Sequence, residues 1–180
     1  MTLNCKGAGS SATPREIRWT KPAIGTYKLN VDVCYFPNGS GSSGAVIRNS
    51  IGEAVAGAGV VLSHLFSATA AEAVALQNGL LLTENIGCRP VIVETDSLEL
   101  VEAMNGVIEI WSPYTAILMD CFQIAQRIGG VKIKHCPREA NMVAHNIARF
   151  VYDSKVDVFW DDDPPSFIVS DVMNNVSVFG

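Results

Sequence analysis

The sequence lacks three features: an apolar run long enough to span a bilayer, an apolar N-terminal segment and a closely spaced cysteine pair. Residues 1–13 are small and polar, unlike a secretory signal peptide. The five cysteines are odd in number and none forms a Cys-x-x-Cys pair, which favours reduced thiols over a disulfide framework or structural zinc. We therefore expect an intracellular protein, cytoplasmic or nuclear, that is neither secreted nor membrane-bound.

Excess positive charge is also missing. Of the 18 acidic and 13 basic residues, six acids and one base lie in residues 153–180, so residues 1–152 carry 12 of each. This neutral body argues against binding of polyanions through overall charge, and leaves local patches or bound cations for that purpose. With 180 residues, of which 48% are hydrophobic and 17% charged, the chain fits one globular domain, which we expect to be monomeric.

Hydrophobic periodicity predicts an α/β fold. Three strands joined by short links suggest antiparallel hairpins, and strand–helix units follow, giving a five-stranded mixed sheet flanked by helices. Residues 1–16 are predicted to form a loose leader, 17–153 the domain and 154–180 an acidic and apolar tail. The predicted strands are Tyr27–Phe36, Ala45–Arg48, Ala54–Leu62, Val91–Thr95 and Val131–Cys136, and the predicted helices are Ala68–Ile86, Ser97–Met104, Pro113–Ile128 and Arg138–Tyr152.

An aspartate interrupts the first strand. Leu29, Val31 and Val33 alternate with the polar side chains of Lys28, Asn30 and Asp32. Aspartate is depleted from strands because it resists burial and hydrogen-bonds to its own backbone. Asp32 is therefore a candidate metal-binding carboxylate.

Two further carboxylates have a functional and a structural interpretation. Glu72 follows Thr69 by three residues, which fits either a metal ligand or a capping box that holds the helix start. Asp96 follows the strand Val91–Thr95, which fits either a ligand at the carboxyl end of a parallel strand or a helix N-cap.

Two histidines also have alternative interpretations. His135, at the end of the last predicted strand, is either a functional residue or only a turn residue. His145, on the last predicted helix, is either a ligand or a solvated side chain.

Taken together, the candidates suggest a metal site. Neighbouring carboxylates repel one another unless a cation or proton offsets them. Mg²⁺ prefers oxygen ligands, and two such ions activate water and stabilise the leaving oxygen in phosphodiester hydrolysis.

Four motifs resemble the type 1 ribonuclease H family, and in particular its plant-type, reverse-transcriptase-like branch. The resemblance covers about Trp19 to Tyr152, with the motifs in the expected order. They are Lys28-Leu-Asn-Val-Asp32, Glu72 in Ala-Glu-Ala-Val-Ala-Leu, Val93-Glu-Thr-Asp96-Ser, and His135-Cys-Pro-Arg138-Glu-Ala-Asn141-Met-Val-Ala-His145.

The resemblance implies metal-dependent endonucleolytic cleavage of the RNA strand of RNA–DNA hybrids, with Mg²⁺ or Mn²⁺ as cofactor. Asp32, Glu72 and Asp96 match three of the family's four metal-site acids. His135 matches a mobile histidine that carries protons or helps product leave. Asn141 matches a polar position near the substrate, and we expect Arg138 to contact the substrate as well.

The sequence departs from the family pattern at two positions. His145 stands where the fourth acid is expected; imidazole suits Mn²⁺ better than Mg²⁺ and removes one negative charge, so we expect weakened metal binding. Val33 replaces a glycine after the first aspartate, and its branched side chain crowds the approach of nucleic acid. The segment Asn105–Ser112 also lacks a basic run, so hybrid binding should be modest and salt-sensitive.

Three functions remain open on this evidence. The first is a working hybrid-specific ribonuclease, supported by the three acids. The second is a catalytically weakened or inactive nucleic-acid-binding module, supported by His145 and Val33. The third is a protein-interaction domain that uses the C-terminal tail.

Overall fold

A six-stranded mixed sheet forms the centre of the fold. The structure, a computed structural model, describes residues 17–106 and 113–175. The order across the sheet is β5-β4-β1-β2-β3-β6. The α/β class and the five predicted strands are confirmed, and a sixth strand is added. The strands are β1 (Tyr27–Tyr35), β2 (Gly41–Arg48), β3 (Ala54–Leu62), β4 (Val91–Thr95), β5 (Val131–His135) and β6 (Val158–Asp161).

The strand directions place the ends of three strands together. β2 pairs antiparallel with both β1 and β3, whereas β4 pairs parallel with both β1 and β5. The carboxyl ends of β1, β4 and β5 therefore meet at one edge of the sheet, the position where α/β proteins place their ligands.

Within the described residues, five α-helices flank the sheet. Four of them match predicted helices, with small shifts at their ends. They are α1 (Ala68–Ile86), α2 (Leu98–Met104), α3 (Thr115–Ile128), α4 (Met142–Ser154) and α5 (Ser166–Asn175). None of the helices in the described ranges has the length and hydrophobicity that a membrane crossing requires.

The helix predicted from Arg138 is divided in two. Residues Arg138–Ala140 form a 3-10 helix, and α4 begins only at Met142. Asn141 separates them with φ −101° and ψ 6°, in the bridge region rather than the helical one. Its side chain is hydrogen-bonded to β1, which holds this residue out of the helix.

The alternation predicted for β1 is confirmed. Leu29 and Val31 are fully buried in a core cluster shared with α1 and α3. Asn30 and Asp32 project to the opposite face, where they contact residues at the start of α4. The polar face of β1 is therefore covered by α4, not by solvent.

Much of the predicted C-terminal tail packs on the sheet. β6 pairs antiparallel with β3, and Trp160 is buried over Gly57, where an added Cβ would lie 2.0 Å from the indole ring. In α5, Ile168 and Val172 are buried in a cluster with residues of α4. The four residues of β6 are too few for a periodic signal, so the sequence did not predict this strand. The predicted leader, 1–16, lies outside the described residues.

Candidate metal centre

Three carboxylates converge at the carboxyl edge of the sheet. Asp32 projects from β1, Asp96 directly follows β4, and Glu72 lies in the second turn of α1. One oxygen of each residue lies within 4.8 Å of the other two. The parallel pairing of β1 with β4 creates this convergence, because it brings the ends of two distant segments side by side.

The cluster is electrostatically unfavourable without a counter-charge. Burial, together with the charges of Asp32 and Asp96, raises the pKa of Glu72 to about 9. Burial and the charge of Asp96 also raise the pKa of Asp32, although hydrogen bonds from Val33 N–H and His145 oppose the shift. Glu72 Oε2 is buried and has no hydrogen-bond partner among the residues that the structure describes. A carboxylate oxygen in that state calls for a proton or a cation.

The structural alternatives for Glu72 and Asp96 do not hold. The N-cap of α1 is Ser67, whose Oγ accepts from Ala70 N at 3.1 Å, so the capping box predicted at Thr69 is wrong. The N-cap of α2 is Ser97, not Asp96, and its side chain makes no capping bond. Both carboxylates are therefore free to act as ligands.

His145 lies against Asp32. The distance from His145 Nδ1 to Asp32 Oδ2 is 2.9 Å, and the imidazole is 23% exposed. A close approach of α4 to β2 permits this contact. Gly44 pairs with Asp32 across the strands, and a Cβ at Gly44 would lie 2.2 Å from Ala144 O.

A second set of hydrogen bonds, formed by residues that precede Asp32 in β1 and His145 in α4, holds the start of α4. Asn30 Nδ2 donates to Asn141 Oδ1 at 3.1 Å, and Asn141 Nδ2 donates to Val31 O at 2.9 Å. Asn141 is fully buried. Here its amide positions α4, and hence His145, and the contact with substrate expected from the family stays a prediction.

His135 and Arg138 are exposed near the cluster. His135 ends β5 in register with Thr95, the residue before Asp96, and Arg138 begins the 3-10 helix that follows. Both therefore remain accessible to a ligand at this edge.

The sequence did not reveal a buried ionic network behind the site. Glu94 pairs with Lys28 at 2.7 Å and accepts from Asn30 at 3.2 Å. Arg48 is fully buried, donates to Asn30 Oδ1 at 3.3 Å and lies 3.7 Å from the ring centroid of Trp19. Burial lowers the pKa of Arg48 to about 9. The polar positions of Lys28 and Asn30, which alternate with apolar residues in β1, were the sequence pattern that could have predicted this network. No pattern around Arg48 or Trp19 indicated their burial.

Residues 30–151, which include the three carboxylates and His145, match the family described as reverse transcriptase-like. The chain belongs to the reverse transcriptase-like family. Its domain is RNase H-like, as the sequence motifs predicted. Among curated proteins, it is 29% identical over 139 residues to an Arabidopsis thaliana protein named "Putative ribonuclease H protein". The match covers 77% of this chain but only 22% of the Arabidopsis protein.

Solved ribonuclease H structures share the fold. RNase H1 from Halobacterium salinarum superposes with a TM-score of 0.68 at 20% identity, covering 72% of this chain and 98% of that one. The N-terminal RNase H domain of a Mycobacterium tuberculosis protein gives 0.67 at 21% identity, with 72% and 94% covered. A compost-derived RNase H1 in complex with an RNA/DNA hybrid gives 0.67 at 20% identity, with 72% and 98% covered.

Proposed function

We propose that this domain hydrolyses the RNA strand of RNA–DNA hybrids at a divalent-metal centre formed by Asp32, Glu72 and Asp96. The observation that carries the proposal is the cluster itself: three carboxylates with ligand oxygens within 4.8 Å of one another, one of which has a buried oxygen with no hydrogen-bond partner in the described ranges. Such a cluster suits a hard divalent cation. Membership of the reverse transcriptase-like family and the solved hybrid complex of a structural relative support the choice of substrate.

The three carboxylates differ in the contacts that hold them in place. Asp32 is held by Val33 N–H, which donates to its Oδ1 at 2.8 Å, and by His145 at its Oδ2. Asp96 and Glu72 are half-buried and face the same space. A bound divalent cation supplies an activated water and offsets the charge that develops on the phosphate. The protein's own part is to hold the ligand oxygens in place.

The two histidines are placed to exchange protons. His145 Nδ1 is bound to Asp32, so Nε2 is the ring atom left for proton transfer. His135 is exposed on the neighbouring strand end, as a residue that carries protons between site and solvent requires. We propose both roles, with His145 also available as a ligand that favours Mn²⁺ over Mg²⁺.

An assay of strand-specific cleavage tests the proposal. RNA–DNA hybrid, duplex RNA and duplex DNA are incubated with purified protein and either Mg²⁺ or Mn²⁺, alongside Asp32→Asn. We expect cuts in the RNA strand of the hybrid alone, higher rates with Mn²⁺, and loss of at least 100-fold in the variant. Activity that persists in Asp32→Asn would assign the cleavage to a contaminant.

One observation favours a second function, hybrid binding without turnover. His145 already occupies one oxygen of Asp32, and the position lacks the carboxylate that the family places there. Hybrid binding that shows no cleavage with either cation would establish this second function.

We also propose that the protein acts inside the cell, as a monomer on nucleic acid. The cysteines at positions 34, 88, 121 and 136 are free thiols, which agrees with a reducing compartment. A protein partner for the C-terminal segment stays a prediction. The segment's buried residues already pack on the sheet, so a partner would have to bind its outer surface.

A further inference from the structure

We infer that a strip along β1 and α4, which runs from the metal centre at Asp32 and His145 to Phe36, Tyr152 and Lys155, is a second contact surface for the nucleic-acid strand that passes through the metal centre. This inference rests on the proposed function and deepens it. It is carried by the way β1 and α4 run side by side away from the site.

Two contacts define the direction of the strip. At its inner end, Asp32 of β1 meets His145 of α4 at 2.9 Å. At its outer end, Phe36, which follows β1, stacks on Tyr152 of α4 with ring centroids 4.3 Å apart and planes 22° apart. Four extended residues cover about 13 Å. Seven helical residues cover about 10 Å, so the two spans agree.

The outer end combines aromatic rings with a fixed cation. Lys155, which follows α4 with φ 57°, holds its Nζ 3.4 Å from the ring centroid of Tyr152. Lys155 is exposed and both rings are half-buried. Surfaces that follow a single nucleic-acid strand use the same combination, with cations for phosphates and aromatic rings for bases or sugars.

The side of α4 between the two ends adds a further charge pair. Arg149 lies one helical turn after His145, and its Nε contacts Asp153 Oδ2 at 3.0 Å. Both side chains are well exposed, at 60% and 58%, so water and salt already weaken the pair and a phosphate can compete for Arg149. This part of the surface therefore carries two cations, Arg149 and Lys155, against one acid, Asp153.

The strip has the length to contact a strand beyond the scissile bond. A distance of about 13 Å corresponds to about four base steps of about 3.4 Å. While one bond of a strand lies at the metal centre, Lys155 thus contacts a phosphate of the same strand several nucleotides away. The strip compensates for the missing basic run in Asn105–Ser112.

The test measures binding separately from cleavage. A fluorescent 16-base-pair hybrid is titrated in EDTA with wild type, Lys155→Gln and the matched control Lys21→Gln. Lys21 is also exposed but precedes β1, at the opposite end of the sheet. We expect Lys155→Gln to weaken binding roughly 3- to 10-fold and to reduce the salt slope by about 0.9, one phosphate contact, while the control stays unchanged.

A second pair of variants tests the aromatic part. Tyr152→Leu should weaken binding, whereas Tyr152→Phe retains the ring, loses only the 3.4 Å contact with Ser40 Oγ, and should bind as wild type does. Thermal unfolding confirms that each variant is folded.

Wild-type affinity and salt slope in Lys155→Gln would overturn the inference, even if the protein cleaves hybrids. Absence of hybrid binding by wild type would overturn it as well. A Lys155-dependent affinity without cleavage would support the strip and reject the proposed hydrolysis.

Discussion

Replacing Glu72 with glutamine tests the electrostatics of the metal-free cluster. Burial and the charges of Asp32 and Asp96 raise the pKa of Glu72 from 4.5 to about 9. The folded state therefore binds this proton more tightly than the unfolded state. The stabilisation that this proton gives the folded state is complete below about pH 4.5 and is lost as the pH rises through about 9. The raised pKa of Asp32 acts in the same direction.

The size of the effect follows from the width of that window. Each pH unit between the two pKa values lowers the free energy of unfolding by at most about 1.4 kcal/mol. From pH 5 to 8 the upper limit is about 4 kcal/mol for Glu72, and water access to a half-buried carboxyl reduces the expected loss to about 1–2 kcal/mol. In a domain of this size, that loss lowers Tm by roughly 2–8 °C.

Thermal unfolding in EDTA at several pH values measures the loss. Wild-type Tm should fall between pH 5 and 8, whereas Glu72→Gln should give a flatter curve and the higher Tm at pH 8. Glu53→Gln, an exposed residue at the turn between β2 and β3, should follow wild type. Mn²⁺ should reverse the order, because it stabilises a site with three carboxylates more than one with two. Identical pH curves for wild type and Glu72→Gln, with equal Mn²⁺ stabilisation, would refute the reasoning.

Three further predictions follow from the packing of α4 and the C-terminal segment. His145→Asp should raise Mg²⁺ affinity roughly tenfold, measured by calorimetry, while lowering Tm in EDTA because a fourth acid joins the cluster. Gly44→Ala should cost about 1–3 kcal/mol in chemical unfolding and disrupt the His145–Asp32 contact, observed by NMR as a changed chemical shift of the His145 ring, because its Cβ would lie 2.2 Å from Ala144 O. A chain ending at Ser154 should lose roughly 5 kcal/mol or more of stability, measured by denaturant titration, since three buried side chains (Trp160, Ile168, Val172) are removed; unchanged stability would contradict the packing of β6 and α5.

The sequence was most informative where a residue type conflicted with its local pattern. An aspartate in an apolar strand marked Asp32, and a strand followed by an acid marked Asp96. Their convergence with Glu72 depends on the parallel pairing of β1 with β4. The family resemblance added His145 at the site, and the structure places it in contact with Asp32.

Contacts between distant segments account for what the sequence did not predict. β6 is stabilised by β3 and by the space above Gly57, neither of which leaves a periodic signal in residues 158–161. The break before α4 depends on a bond from Asn141 to β1, 110 positions away in the chain. The burial of Arg48 beneath Trp19 likewise exists only in the folded protein.

Anomalous diffraction from crystals soaked in Mn²⁺ tests the central claim most directly, because it locates the cation independently of activity. We expect a peak within coordination distance, about 2.0–2.4 Å, of oxygens from Asp32, Glu72 and Asp96, and no such peak in crystals of Asp32→Asn. Saturating Mn²⁺ that leaves the cluster empty, or that binds only elsewhere on the protein, would contradict it.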